Sequence, residues 1–175
     1  MALPKKVLVA EVGPRDGWQN HPVQIPTETK IKYIRKMVEC GARKMEITSF
    51  VNPKYVPQMG DAREVFQGVR EYLDEQGVTA FALTLNKKGV DNAREAGFRN
   101  VEFVLSASEE HNLRNSRRTI QESLDAFKEL AAGAEGLHIA ILADGGGVPS
   151  DGAIAELLAI TEVVLASGVS IFGAE

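Results

Sequence analysis

The chain has 175 residues, of which 44% are hydrophobic and 25% are charged, and this is the composition of an ordinary globular domain with one core. Its formal net charge of −4 argues against a nucleic-acid surface, and no apolar run is long enough to cross a bilayer. The single cysteine, Cys40, excludes an internal disulfide and fits a reducing compartment. Because Cys40 follows an apolar helical pattern, we expect it to be buried. The first residues resemble neither a secretory signal nor a transit peptide.

Strand and helix patterns alternate along the whole chain. Six apolar segments predict strands, and the five segments between them have helical periodicity. The strands are predicted at residues 7–10, 44–50, 78–85, 101–106, 137–142 and 169–172. Four of the helices are expected to end at Gly41, Gly77, Gly97 and Gly168. Thr119 and Glu122 have the spacing of a capping box, in which each side chain bonds the backbone N–H of the other residue, and they predict the start of the fourth helix.

Serial strand–helix units require right-handed crossovers and give a parallel sheet. Two architectures satisfy this pattern, a doubly wound open sheet and a (β/α)-barrel, which closes with eight strands. The first strand–helix loop lacks Gly-x-Gly-x-x-Gly, so the dinucleotide-binding version of the open sheet has no support. In both architectures ligands bind at the carboxyl ends of the strands, and the functional residues are expected there.

Three ionisable residues lie at predicted strand ends. Arg15 and Asp16 follow the first strand in a turn that Gly17 lets bend freely, and Glu46 lies on the second strand. Carboxylate oxygens are ligands that Mg²⁺ and Mn²⁺ prefer, and an arginine can hold a carboxylate or stabilise a developing oxyanion. The alternative is an ion pair in which Asp16 or Glu46 only orients Arg15.

Other polar groups have an ordinary structural explanation beside a functional one. The glycine triplet at residues 145–147 could cradle a phosphate but is more typical of a mobile loop. His111 could act as an acid or base, although an exposed loop histidine is the default, and we expect His138 to be structural. Trp18 could cover a ligand or pack at the rim of the sheet. A basic cluster that could attract an anionic substrate or form a solvated loop contains Arg114, Arg117 and Arg118.

Two segments carry a resemblance to a known family. Residues 11–20, with the core Arg-Asp-Gly-x-Gln, and residues 46–61, with Ser-Phe-Val-x-Pro-Lys-x-Val-Pro-Gln-Met, together resemble 3-hydroxy-3-methylglutaryl-CoA lyases. The first core alone indicates only a wider group that includes homocitrate and isopropylmalate synthases, and the second segment points to the lyase branch. Residues 106–115 and 119–123 strengthen the match.

The resemblance implies a (β/α)₈ TIM barrel, a divalent metal, Mg²⁺ or Mn²⁺, and retro-Claisen cleavage of an acyl-CoA substrate to acetyl-CoA and acetoacetate. It implies a cytoplasmic homo-oligomer, expected to be a dimer, with no nucleic-acid or membrane partner. Asp16 matches the metal-binding aspartate, Arg15 the arginine that neutralises the enolate, and Glu46 an acid near that arginine. The residues that would line the substrate site are Gln19, Ser49 and Asn112.

The chain also departs from the family pattern. After the fifth predicted strand it carries Asp-Gly-Gly-Gly-Val-Pro-Ser instead of a Gly-Cys-Pro-x-Glu-Gly type loop, and the histidine pair that binds metal on the seventh strand has no counterpart. We therefore expect residues 1–175 to form a single, incomplete barrel domain of about six strands and five helices, which is unstable, oligomeric or aggregation-prone in isolation. The alternatives are an inactive acyl-CoA-binding or oligomerising remnant and a related Claisen-type synthase.

Overall fold

The computed structural model describes residues 9–106, 108–132 and 137–144, and strands and helices alternate along them. The strands are β1 (Lys44–Ser49), β2 (Thr79–Thr84), β3 (Asn100–Ser106) and β4 (His138–Asp144). The helices are α1 (Thr27–Glu39), α2 (Ala62–Glu75), α3 (Lys87–Ala96), α4 (Glu109–Ser116) and α5 (Ile120–Ala132). Gly13–Gly17 and Pro57–Met59 form short helical turns. The sheet order β1-β2-β3-β4 is the order of the chain, and β3 pairs with β4 in parallel.

The first predicted strand differs from the structure where it is described. Residues 7 and 8 lie outside the described residues, and Val9 is 75% exposed, so the prediction that Val9 lies in a buried strand is wrong. The first described residue that pairs with the sheet is Glu11, which forms a parallel bridge with Met45. The backbone N–H of Glu11 donates to Lys44 O at 2.9 Å, and that of Glu46 donates to Glu11 O at 2.8 Å. The predicted sixth strand and the helix before it lie outside the described residues.

Helix α4 was not predicted, because the sequence analysis treats residues 107–112 as a polar strand end. The only α4 residue described as buried is Asn112, so the helix has no apolar stripe whose period could reveal it. Its first turn is capped by Ser108, whose side chain accepts a hydrogen bond from the backbone N–H of His111 at 3.4 Å.

The predicted helix ends are confirmed where the structure describes them. Gly41, Gly77 and Gly97 have φ values of 106°, 64° and 99°, in the left-handed region that glycine enters without a steric penalty. At the other end of a helix, the N–H of Thr119 donates to Glu122 Oε2 at 2.8 Å and the N–H of Glu122 donates to Thr119 Oγ1 at 3.1 Å. The capping box therefore forms as predicted.

The chain forms two compact units, Met1–Ala82 and Leu83–Glu175. In the first unit, α1 and α2 pack against each other and α2 packs against β1, whose six residues are all buried. The two helices approach closely at Gly68, where an added Cβ would lie 2.4 Å from Cδ1 of Ile31. This unit contains the strand and the turn on which most of the predicted site residues lie.

In the second unit, α5 packs on β3 through a pair of aromatic rings. The ring centroids of Phe103 and Phe127 are 5.8 Å apart and the ring planes are tilted by 50°. Both residues are buried, and tilted rings at this distance attract each other. Within the described part of the chain, every helix is too short or too polar to span a bilayer.

Candidate active site

The backbone between Glu11 and Gly17 places Arg15 beside β1. The N–H groups of Arg15 and Asp16 both donate to Val12 O, at 3.0 and 2.8 Å, so this segment is one helical turn rather than the flexible glycine bend that the sequence predicts. The Glu11 carboxylate accepts the N–H of Gly13 at 2.7 Å, and a Cβ on Gly13 would lie 2.8 Å from that oxygen. Glycine is therefore needed at this position for the carboxylate to cap the turn.

Arg15 links two carboxylates that differ in burial. Its Nε donates to Glu46 Oε2 at 2.7 Å and its Nη1 donates to Asp16 Oδ1 at 2.9 Å. The side chain of Glu46 is 1% exposed, that of Arg15 is 13% exposed and that of Asp16 is 59% exposed. The structure thus brings the three predicted residues together, and their catalytic and metal-binding roles stay predictions.

The environment of Glu46 favours its neutral form more than an ordinary glutamate environment does. Burial raises the pKa of this carboxyl above its usual value of 4.5, whereas the charge and hydrogen bond of Arg15 lower it and the charge of Asp16 adds a small further rise. Its second oxygen, Oε1, is buried and has no hydrogen-bond partner among the described residues, and the same is true of Ser49 Oγ. Unpaired buried oxygens are costly, so both are positions where a bound molecule can supply a hydrogen bond.

Two further polar groups extend this site. Among the described residues, no protein atom accepts a hydrogen bond from Nη2 of Arg15, so the guanidinium keeps a donor for a ligand. Gln19 is half-exposed and follows Asp16 by three residues along the chain, just beyond the Gly13–Gly17 turn. The first unit therefore contains all the predicted site residues except Asn112.

Asn112, in the second unit, is committed to internal hydrogen bonds. Its Oδ1 accepts the N–H of Ser106 at 3.0 Å, and its Nδ2 donates to Arg118 O at 2.9 Å and to Ser123 Oγ at 2.8 Å. The residue is 1% exposed. These bonds give Asn112 a structural task in joining β3, α4 and α5, and its predicted contact with substrate stays a prediction.

His111 lies on α4 and is half-buried, so its expected position in an exposed loop is wrong. Its Nε2 lies 2.8 Å from Asn115 Nδ2, and its Nδ1 lies 3.3 Å from Ser106 Oγ. The ring of His111 therefore lies between a serine of β3 and an asparagine of its own helix.

Several other sequence-based expectations have a clear outcome. Cys40 is exposed, so the prediction of a buried cysteine is wrong, because the helix presents this position to the solvent at its end. Arg114 pairs with Glu110 one helical turn away, and Arg118 Nη1 donates to Leu85 O at 3.4 Å, so two members of the basic cluster are engaged within the protein. The glycine triplet at residues 145–147 lies outside the described residues.

A cavity of about 650 Å³ lies beside the beginning of β1 and is lined by Glu11 and Cys40 but by none of the predicted site residues. Val9, Tyr33, Met37 and Arg43 are among the residues that line it. Glu46 and Ser49 lie farther along the strand and do not line it, so the cavity is not part of the candidate site.

The sequence analysis missed Lys30. This lysine is 2% exposed, and its Nζ donates to the Gln58 carbonyl and, at 2.6 Å, to Asp61 Oδ1. A signal existed in the sequence: Lys30, Ile34 and Val38 follow one another at intervals of four and share the buried face of α1. A lysine in register with apolar residues on one helix face indicates a buried cation with a partner.

Asp16 is the residue for which the sequence predicts metal binding. Asp16 is exposed and Oδ2 of its carboxylate has no hydrogen bond to the described residues, so the oxygen can bind a hard cation. Across residues 9–106, 108–132 and 137–144, however, no three His, Cys, Asp or Glu side chains gather as a metal site. These residues therefore do not form a metal centre by themselves.

A parallel sheet of serial strand–helix units, with ionisable side chains gathered beside its first strand, fits the class of α/β proteins that includes the (β/α)-barrel enzymes. The HMGL-like family model matches residues 6–174, and the chain therefore belongs to the HMGL-like family. This confirms the resemblance seen in the sequence. Lyases of this family generally depend on a divalent metal.

Individual relatives agree with the family assignment. The chain is 39% identical to hydroxymethylglutaryl-CoA lyase YngG of Bacillus subtilis, over 97% of this chain and 58% of the relative. It is 40% identical to human mitochondrial hydroxymethylglutaryl-CoA lyase, over 79% of this chain and 42% of the relative. The structure of an HMG-CoA lyase from Acinetobacter baumannii in complex with coenzyme A and 3-methylmalate matches with a TM-score of 0.84 at 33% identity, over 98% of this chain and 57% of that chain.

These matches confirm the predicted fold class, because the structural relatives are TIM-barrel lyases and the described residues form a parallel part of such a barrel. The chain spans 58% of the length of YngG.

Proposed function

We propose that the protein catalyses the divalent-metal-dependent retro-Claisen cleavage of 3-hydroxy-3-methylglutaryl-CoA to acetyl-CoA and acetoacetate. One observation carries the proposal: in a member of the HMGL-like family, a single guanidinium is fixed between an exposed and a buried carboxylate and keeps one nitrogen for a ligand. The relatives named above, which are hydroxymethylglutaryl-CoA lyases, support the same reaction.

Arg15 is suited to the step in which charge develops. A base removes the proton of the C3 hydroxyl, the C2–C3 bond breaks, and its electron pair moves to the thioester as an enolate, which is then protonated at C2 to give acetyl-CoA. A donor that is already fixed in place stabilises such an oxyanion without reorganising. The bonds from Nε to Glu46 and from Nη1 to Asp16 fix the guanidinium plane, and Nη2 is the nitrogen we assign to the enolate oxygen.

Glu46 and Ser49 supply the buried polar atoms of the same site. Glu46 orients Arg15 through Oε2, while Oε1 and the Ser49 hydroxyl have no partner in the part of the chain that the structure describes. We assign these two oxygens to hydrogen bonds with the bound acyl group, because substrate binding would then remove the cost of leaving them unpaired. Gln19 and Asn112 are assigned to the lining of the substrate site on the family resemblance.

Asp16 is the residue we assign to the metal, Mg²⁺ or Mn²⁺, through its unpaired oxygen. When bound, such a metal lowers the energetic cost of the alkoxide that forms on C3. Further ligands would come from groups beyond the described residues. The complex of the Acinetobacter baumannii lyase with coenzyme A supports an acyl-CoA substrate here, and we propose a cytoplasmic homodimer as the working form.

The test is metal-dependent release of acetyl-CoA from 3-hydroxy-3-methylglutaryl-CoA by the chain, with its intact mass verified. We expect turnover with Mg²⁺ or Mn²⁺ and a loss of about 100-fold or more in kcat for Arg15→Ala and Asp16→Ala, the scale of removing a fixed oxyanion donor. Lys32→Met is the matched control, because Lys32 is exposed on α1 and lies outside the site. Turnover that both site variants retain would contradict the proposal.

A second candidate is an acyl-CoA-binding protein without turnover, which the lack of a three-ligand cluster among the described residues favours. Folded protein that binds coenzyme A in a calorimeter but releases no acetyl-CoA would select this candidate. Condensation of acetyl-CoA with a 2-oxo acid in the same preparation would instead select a Claisen-type synthase.

A further inference from the structure

A buried ammonium group joins α1 to the loop that follows β1. Nζ of Lys30 donates to the Gln58 carbonyl and to Asp61 Oδ1, and the other oxygen of Asp61, Oδ2, accepts from Thr27 Oγ1 at 2.7 Å. Both oxygens of the aspartate are therefore paired, and the lysine is withdrawn from solvent. Burying an amine is costly unless it is paired in this way.

The side chain of Gln58 extends the connection to the loop that follows the Arg15 turn. Its Nε2 donates to His21 O at 2.6 Å, and its Oε1 accepts the N–H of Ile25 at 3.4 Å. The N–H of His21 in turn donates to Trp18 O at 3.1 Å. One amide thus holds both ends of the loop that begins at the site turn.

The loop at residues 51–61, which contains Gln58, also bonds the strand that carries Glu46. Thr48 Oγ1 donates to the sulfur of Met59 at 3.6 Å, and both residues are buried. Met59 is the neighbour of Gln58 in the chain. The loops at residues 18–25 and 51–61, which follow the two halves of the candidate site, are therefore joined to each other and to α1 around a single lysine.

We propose that Lys30 is a positioning residue that holds these two loops in register through Gln58 and Asp61, and so keeps Arg15 opposite Glu46. The reaction it serves is the one proposed above, so the kinetic part of this inference rests on that function. The arrangement of the loops does not rest on it and can be measured separately.

The first experiment is hydrogen exchange measured by mass spectrometry on Lys30→Met, with Lys32→Met as the control on the same helix. Methionine keeps most of the length of the side chain but removes the charge and the donors. We expect exchange in peptides covering residues 18–25 and 51–61 to accelerate by about tenfold or more, while peptides from α3 keep their protection. No acceleration in either loop, or equal acceleration in α3, would overturn the inference.

A second pair of variants separates the hydrogen bonds from general loss of stability. Asp61→Asn keeps an acceptor for Lys30 and a polar group that can bond the Thr27 hydroxyl, whereas Asp61→Leu keeps neither. We expect the leucine variant to match Lys30→Met and the asparagine variant to restore most of the loop protection. Equal exchange in the two Asp61 variants would count against a positioning role.

The kinetic experiment uses the acetyl-CoA assay. We expect Lys30→Met to lower kcat by about tenfold or more with a smaller change in KM, because a misplaced catalytic group affects the reacting complex more than initial binding. Unchanged kcat in a variant with loosened loops would show that the network does not serve catalysis. If even the unmodified chain gave no turnover, the proposed reaction would fail, and the exchange data would still decide whether Lys30 positions the loops.

Discussion

The three nitrogen atoms of the Arg15 guanidinium have three different environments. Nε bonds a buried carboxylate, Nη1 bonds an exposed one, and Nη2 has no partner among the described residues. A lysine offers a single ammonium group at the end of a flexible chain and cannot reproduce this planar fork. Two nitrogen atoms therefore hold the guanidinium in place, and the third is the one that the proposed function assigns to the substrate.

Replacing Arg15 with lysine tests this division. We expect Arg15→Lys to lower kcat by about 100-fold although the positive charge remains, because the ammonium cannot bond Glu46 and Asp16 and also face the substrate. Steady-state kinetics with saturating metal would measure the change. A lysine variant with more than about half of the original kcat would show that the positive charge alone is sufficient and that the planar guanidinium is not required.

The raised pKa of Glu46 makes the stability of the protein depend on pH. Its pKa in the folded protein lies above 4.5, so the unfolded chain loses this proton first as the pH rises. The contribution of Glu46 to stability is therefore fully present below about pH 4.5 and declines as the pH rises through the folded pKa. We expect the unfolding free energy of the wild type, relative to Glu46→Gln, to fall as the pH rises above about 4.5, measured by urea titration followed through Trp18 fluorescence.

Arg15 is the group that opposes this rise in pKa, and it provides the control. In an Arg15→Ala background the pKa of Glu46 should rise further, so the decline in the relative unfolding free energy should extend to higher pH. A difference between wild type and Glu46→Gln that is flat, or that grows with pH, would show that the carboxyl is ionised at little cost in the folded state.

At the scale of whole elements, the contact between α1 and α2 depends on the absence of one side chain. An alanine at position 68 would gain about 0.5–1 kcal/mol of helix stability but would place its Cβ 2.4 Å from Ile31 Cδ1, and overpacking costs about 1–3 kcal/mol. We expect Gly68→Ala to lower the unfolding free energy by about 1 kcal/mol, measured by urea titration.

Combining Gly68→Ala with Ile31→Val tests whether contact with Ile31 causes the loss of stability. Ile31→Val removes the Cδ1 atom that the new methyl group would meet, so most of the penalty of Gly68→Ala should disappear in that background. A double-mutant cycle should give a coupling energy of about 1 kcal/mol. Additive effects of the two substitutions would mean that the loss arises elsewhere in the helix.

The sequence predicts the elements whose signals are local. Glycines in the left-handed conformation end three helices, and Thr119 with Glu122 begins another, because these signals act within one turn of the chain. Helix α4 escapes prediction because its buried residue is the polar Asn112. Lys30 escapes because its partners, Gln58 and Asp61, lie about thirty residues away along the chain, and no periodicity reports which distant loop covers a helix.

In the candidate site, too, the residues could be predicted from nearby sequence, whereas their burial could not. Arg15 and Asp16 are adjacent in the chain, and a family motif marks them together with Glu46. The burial of Glu46 and the unpaired oxygens of Glu46 and Ser49 follow from packing around β1, which sequence patterns do not describe.

At the scale of the whole molecule, we expect the described residues to fold equally well with and without the metal. A metal stabilises a fold when several of its ligands are brought together by folding, and the described residues bring together no three candidate ligands. We expect EDTA to abolish acetyl-CoA release while leaving the thermal unfolding midpoint, followed by circular dichroism, unchanged. A midpoint that falls with EDTA and returns with Mg²⁺ would show that the metal is part of the folded structure.

The order of the strands has a consequence for how the protein is made. Because the sheet order is the order of the chain, each strand that leaves the ribosome finds its neighbour already synthesised. Such a strand does not have to wait for a distant part of the chain to be synthesised. Contacts between neighbouring segments of the chain can therefore form during translation. Arg15, Glu11 and β1 are all translated within the first third of the chain, so the turn that carries Arg15 can form on the ribosome before most of the sheet exists.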